Sequence, residues 1–114
     1  MPPKVGEYVN ILKNGYHLRW KHVKGEPKGV AEVPLHVHKD GSYTHLLRVR
    51  KGTELPVSKH TYYEEAYYIK GRMLNKKMKK TIIEGDYIFH EPGEEHGPFK
   101  CLGDCSILEV RYYK

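Results

Sequence analysis

Apolar and polar residues alternate along much of this chain with a period of two. Over 16–23, Tyr16, Leu18 and Trp20 oppose His17, Arg19 and Lys21, the pattern of a half-buried strand. Residues 43–50 repeat it, with His45, Leu47 and Val49 on one face and Thr44, Arg48 and Arg50 on the other. Further short runs rich in Val, Ile, Leu and Tyr occupy 30–38, 64–70, 80–83, 87–90 and 105–113. Eleven Gly and seven Pro separate these runs, which suits strands joined by turns. No window of ten or more residues carries the 3.6-residue period of a substantial helix. The pattern predicts an all-β chain of short strands closing as a barrel or a double-sheet jelly roll. Residues 1–15 read as an N-terminal arm or edge strand, and 16–114 as a single barrel.

A length of 114 residues holds one core and leaves no room for a separate functional module. No stretch approaches the roughly 20 apolar residues of a membrane span. The opening MPPKVGEY has neither the apolar segment nor the cleavage site of a signal peptide, so the expected location is the cytoplasm. The net charge of +6 comes from scattered basic residues, apart from the NKKMKK run at 75–80. That run reads as a solvated hairpin tip, and with no nucleic-acid reader motif beside it, nucleic acid is not an expected partner. Cys101 and Cys105 lack the second pair that zinc frameworks need and read as free thiols. No Ser-His-Asp order, nucleophile elbow or phosphate-cradling glycine loop is present.

Candidate chemistry concentrates in two segments. Residues 52–71 read GTELPVSKHTYYEEAYYIKG, and residues 85–96 read GDYIFHEPGEEH. Strand alternation lets His60 and Glu64 both face the interior, with Glu65 turned away. Ala66 and Tyr68 follow Glu64 inward, making Tyr68 a pocket wall and Tyr67 an outward residue. Asp86, Ile88 and His90 share a face, and the Pro92-Gly93 turn returns the chain so that His96 can meet the first segment. In order and spacing, Gly52, His60, Glu64 and Gly71, then Gly85, Asp86, Pro92, Gly93 and His96, resemble the two motifs of the cupin superfamily. The first of those motifs reads G-x5-H-x-H-x3-E-x6-G, and Ser58 stands where its first histidine is expected. LLRVRKGTELP, HTYYEEAYYIKG, EPGEEHGPF and the closing GDCSILEV are similar to the ChrR-like branch. That branch includes the cupin domain of anti-sigma factors and dioxygenases of acetylacetone-type and hydroxyacetophenone-type ketones. The resemblance covers roughly residues 42–112.

The resemblance implies a double-stranded β-helix, or jelly-roll, cupin barrel, often a homodimer, with one divalent metal at His60, Glu64 and His96. Two imidazoles and a carboxylate form the set that holds non-haem Fe(II) with positions left open. Zinc, manganese, nickel and copper accept the same set. At Ser58 the vacated place takes a water, gains a weak hydroxyl ligand, or marks a site without metal in which His60 and His96 are hydrogen-bonded pocket residues. The implied activity is a metal-dependent dioxygenase acting on a small dicarbonyl or hydroxyketone. His90 and Tyr68 are its catalytic candidates, and Tyr62, Tyr68 and His45 its substrate contacts. His45 also reads as a replacement ligand or as a satisfied core histidine, and His90 as an outer partner of the metal ligands. Tyr62 and Tyr63 stand where relatives have two glycines and bring bulky phenols to the site's mouth. His36 and His38 read as a solvent-facing pair, His17 and His22 as surface residues, and Arg48 and Arg50 as a wet strand face. The competing functions are a non-catalytic module holding zinc or a small polar molecule, and a sugar isomerase or epimerase.

Overall fold

A computed structural model describes residues 3–13 and 19–114. These residues form ten strands and no helix: β1 (Lys21–His22), β2 (Val30–Val37), β3 (Tyr43–Val49), β4 (Glu54–Leu55), β5 (Ser58–Lys59), β6 (Tyr63–Asn75), β7 (Lys80–Ile83), β8 (Tyr87–His90), β9 (Glu95–His96) and β10 (Phe99–Tyr112). The main sheet runs β1-β2-β3-β10-β6-β7, with β4 on β10 and β8 on β6, while β5 and β9 form a separate pair. Every pairing is antiparallel. The all-β jelly-roll prediction is therefore met.

Of the strand predicted over 16–23, positions 16–18 lie outside the described residues, and only Lys21–His22 pairs. His17 also lies outside them. Residues 3–13 carry turns and no strand. The two longest strands exceed their predicted spans because β6 continues to Asn75 and β10 begins at Phe99.

Side-chain alternation along these strands sorts the interior into rows. Tyr43 on β3, Arg111 on β10, Glu64 on β6 and His90 on β8 are neighbours in one row. Two residues further along each strand come His45, Glu109, Ala66 and Ile88, and then Leu47, Ile107 and Tyr68. The interior thus grades from a charged end to an apolar floor, where Val49, Met73, Cys101 and Cys105 complete the core. The two thiols are free and buried, with Sγ atoms 3.7 Å apart. Burial, reinforced by Cys101, pushes the Cys105 thiol up to about 12, so it is an unreactive core group at neutral pH.

Candidate functional site

The cavity encloses about 140 Å³ between the sheet and the β5-β9 pair, and its polar end carries Ser58, His60, Glu64, His90, His96 and Arg111. Pairing of β5 with β9 sets Ser58 directly opposite His96. His60 leads into β6 and stands 3.7 Å, Nε2 to Oε2, from buried Glu64. The His96 ring lies 4.6 Å from that of His60 and 4.2 Å from that of His90, between centroids, and stacks nearly parallel on His90. His90 Nδ1 contacts Glu94 Oε1 at 3.1 Å. Tyr62 stacks on His60, with ring centroids 4.5 Å apart. Tyr68 is buried in the wall, and burial raises its phenol well above its ordinary range. The site residues read from the two motifs are therefore brought together.

Arg111, Glu109 and Glu32 were not anticipated as cavity residues. The Arg111 Nε donates to Glu64 Oε2 at 2.9 Å, and its Nη2 to Glu109 Oε1 at 3.0 Å. Its Nη1 donates to the Tyr43 hydroxyl at 2.5 Å. His45 Nε2 reaches Glu109 Oε1 at 2.7 Å and its Nδ1 reaches Glu32 Oε1 at 2.9 Å. With both nitrogens within hydrogen-bond distance of carboxylates, His45 matches the satisfied core histidine among its alternatives. The signal for Arg111 and Glu109 lay in the last strand: if Cys105 and Ile107 face inward, so do Glu109 and Arg111. Elsewhere, His36 and His38 are exposed, and Glu65 points away from the cavity to meet the Tyr87 hydroxyl.

The groups at the polar end suit a bound cation in their chemistry. Burial, and then the charge of Glu109, lifts the Glu64 carboxyl to about 7 against the pull of Arg111. Burial and then Arg111 lower His60. Burial, then His90 and His60, take His96 down to about 4. Both rings are thereby held neutral, the form that offers a lone pair to a metal. His96 Nε2 is buried and has no hydrogen-bond partner, an arrangement that calls for an ion, water or ligand. The side chains are not converged on one point: among the described residues, no three His, Cys, Asp or Glu groups are placed to hold a metal.

His96 also makes stability depend on pH. Its ring takes up a proton below about 6.5 when unfolded but only below about 4 when folded, so this contribution is lost as pH falls between those values. Allowing for partial solvent access, the loss is about 2 kcal/mol. Urea unfolding of native protein and His96→Phe at pH 7 and pH 4.5 is expected to show a smaller drop in the variant. Equal drops would assign the acid sensitivity to other groups.

A jelly-roll barrel with histidines and a carboxylate gathered inside one end is the architecture of a cupin. The chain belongs to the family of ChrR cupin-like domains, whose model matches residues 10–112. No curated protein matches it. Among solved structures, an RmlC-like cupin from Ralstonia eutropha aligns with TM-score 0.71 at 16% identity, over 87% of this chain and 66% of the other. An acetylacetone dioxygenase from Acinetobacter johnsonii aligns with TM-score 0.73 at 19% identity, over 97% of this chain and 76% of the other. The Rhodobacter sphaeroides SigE complex with the anti-sigma ChrR aligns with TM-score 0.71 at 19% identity, over 90% of this chain and 54% of the matched one. At these identities the likeness establishes the fold, which hosts many chemistries. No helix among the described residues is long and apolar enough to cross a membrane.

Proposed function

We propose that this chain is a metal-dependent cupin enzyme of the dioxygenase kind, acting on a small dicarbonyl or hydroxyketone. The observation that carries this reading is His96 Nε2, buried without a partner beside a neutral His60 and a Glu64 carboxyl that burial and Glu109 raise to about 7. His60, Glu64 and His96 would hold one divalent ion, Fe(II) by preference. The ion supplies a Lewis acid that polarises a substrate oxygen, and as Fe(II) it adds redox chemistry. The protein's own part is positioning and exclusion of water. A cavity of about 140 Å³ matches a ligand of benzene-like size. Its apolar floor of Leu47, Met73 and Ile107 would seat the substrate's carbon skeleton, with Tyr68 alongside. Tyr62, stacked on His60, would orient the polar end of the substrate and limit solvent entry. His90 bonds Glu94 through Nδ1, which leaves Nε2 as the atom to hold or pass a proton at the cavity.

Elemental analysis of purified protein is expected to find near-stoichiometric metal, reduced by about tenfold or more in His96→Ala. The metal-loaded native protein is expected to consume oxygen with a panel of diketones and hydroxyketones. Metal content without oxygen uptake would remove the dioxygenase part of the reading.

The Arg111 guanidinium, 2.9 Å from Glu64, favours a second reading, because it already supplies a cation to the carboxylate while Ser58 contributes no imidazole. On that reading the chain is a binding module for a small polar molecule. A thermal shift with a sugar acid, without turnover, would select it.

A further inference from the structure

We infer that Arg111 is a resident counter-cation of the cavity and competes with a divalent ion for Glu64, thereby setting how readily the site fills. The inference rests on the proposed metal site and concerns its regulation. Register places Arg111 of β10 between Tyr43 of β3 and Glu64 of β6. Its guanidinium is held there by Glu64, Glu109 and Tyr43, with the Tyr62 ring 5.2 Å away.

The shared atom makes this a competition. Glu64 Oε2, which accepts from Arg111 Nε at 2.9 Å, is also the oxygen nearest His60 Nε2, at 3.7 Å. An ion held by His60 and Glu64 would share that oxygen with the guanidinium or displace it. Like charges so close in partly desolvated surroundings repel strongly. Ser58 sharpens the contest, because the site has one imidazole fewer to offset that repulsion. Arg111 cannot relieve it by losing its own proton. It can only move, and moving means leaving Glu109 and Tyr43 as well.

The test is calorimetric titration with Zn²⁺ alone, with folding checked by circular dichroism. Removing Arg111 by itself leaves two buried carboxylates without their cation, so the decisive variant is Arg111→Met/Glu109→Gln, which removes one charge of each sign. Its glutamine oxygen can still accept from His45. The double variant is expected to bind zinc at least about tenfold more tightly than native protein, and adding His96→Ala is expected to abolish the gain. Native binding with no gain, or with a loss, in a folded double variant would overturn the inference and leave the metal reading standing. Binding by the double variant alone would support the inference and remove metal occupancy from the native protein. No zinc binding by either would overturn both.

Discussion

Replacing Arg111 with methionine is expected to lower the unfolding free energy by about 3–5 kcal/mol, the cost of leaving buried charges without their partner. Glu64 and Glu109 are only 4% and 6% exposed, and the one guanidinium donates to both. Methionine fills much of the same volume, so the change isolates the charge from the packing. Urea denaturation at pH 7 reads the loss directly. The loss should shrink towards pH 5. Without Arg111 the folded carboxyls titrate higher than the unfolded ones, so their penalty is present above the folded values and disappears as both states become protonated. Restoring charge balance with Arg111→Met/Glu109→Gln should recover a part of the stability, about 1–2 kcal/mol. A loss below about 1 kcal/mol in Arg111→Met would mean that water already screens the two carboxylates. The cation would then have no structural role, and the competition argued for Glu64 would lose its basis.

The strands were readable wherever one face was apolar, because a period of two is all that a half-buried strand requires. Residues 43–50 illustrate this: His45, Leu47 and Val49 are buried as their alternation implied, and Leu46, on the opposite face, is buried as well. Strands β4, β5 and β9 were not readable. Each has two residues, too few for any periodicity: β4 exists because the long β10 is held opposite, and β5 and β9 pair only with each other. The motif residues His60, Glu64 and His96 were legible from spacing, since the hairpins that carry them use glycine and proline at fixed intervals. The charged network was not legible as a unit. Glu32, His45, Glu109, Arg111 and Glu64 come from four different strands, and only register makes them neighbours. Each looks like an ordinary polar strand residue when read alone.

That register hangs on one glycine, and Gly71→Ala is expected to destabilise the protein by about 2–6 kcal/mol. The buried residues of β6 are Glu64, Ala66 and Tyr68 in its first part and Met73 in its second, so the inward-facing parity changes between them. On β10 the buried residues Cys101, Cys105, Ile107 and Glu109 keep one parity throughout. Between the Cys101–Met73 and Ile107–Tyr68 pairs β10 advances six residues and β6 only five, through pairing shifts that run from Cys101 to Ile107, so the net extra residue is a bulge in β10, where Asp104 and Cys105 together oppose Gly71. Gly71 faces this bulge with φ of 109°, and a Cβ there would come within 2.6 Å of Asp104 O and of Cys105 Cα and Sγ. Two costs combine: a backbone conformation that residues with a Cβ avoid, worth about 1–3 kcal/mol, and overpacking against backbone that cannot step aside, worth about 1–3 kcal/mol. Thermal or urea unfolding measures their sum. The functional consequence follows from geometry, because a one-residue slip exchanges the two faces of a strand. With the bulge, Arg111 pairs with Glu64. Carrying the Cys101–Met73 register unchanged up the strands would set Arg111 against Tyr63 instead and turn Glu64 away from the cavity. A folded Gly71→Ala protein with native stability and unchanged zinc binding would show that the bulge tolerates a side chain and that the glycine of the first motif is not needed to aim Glu64.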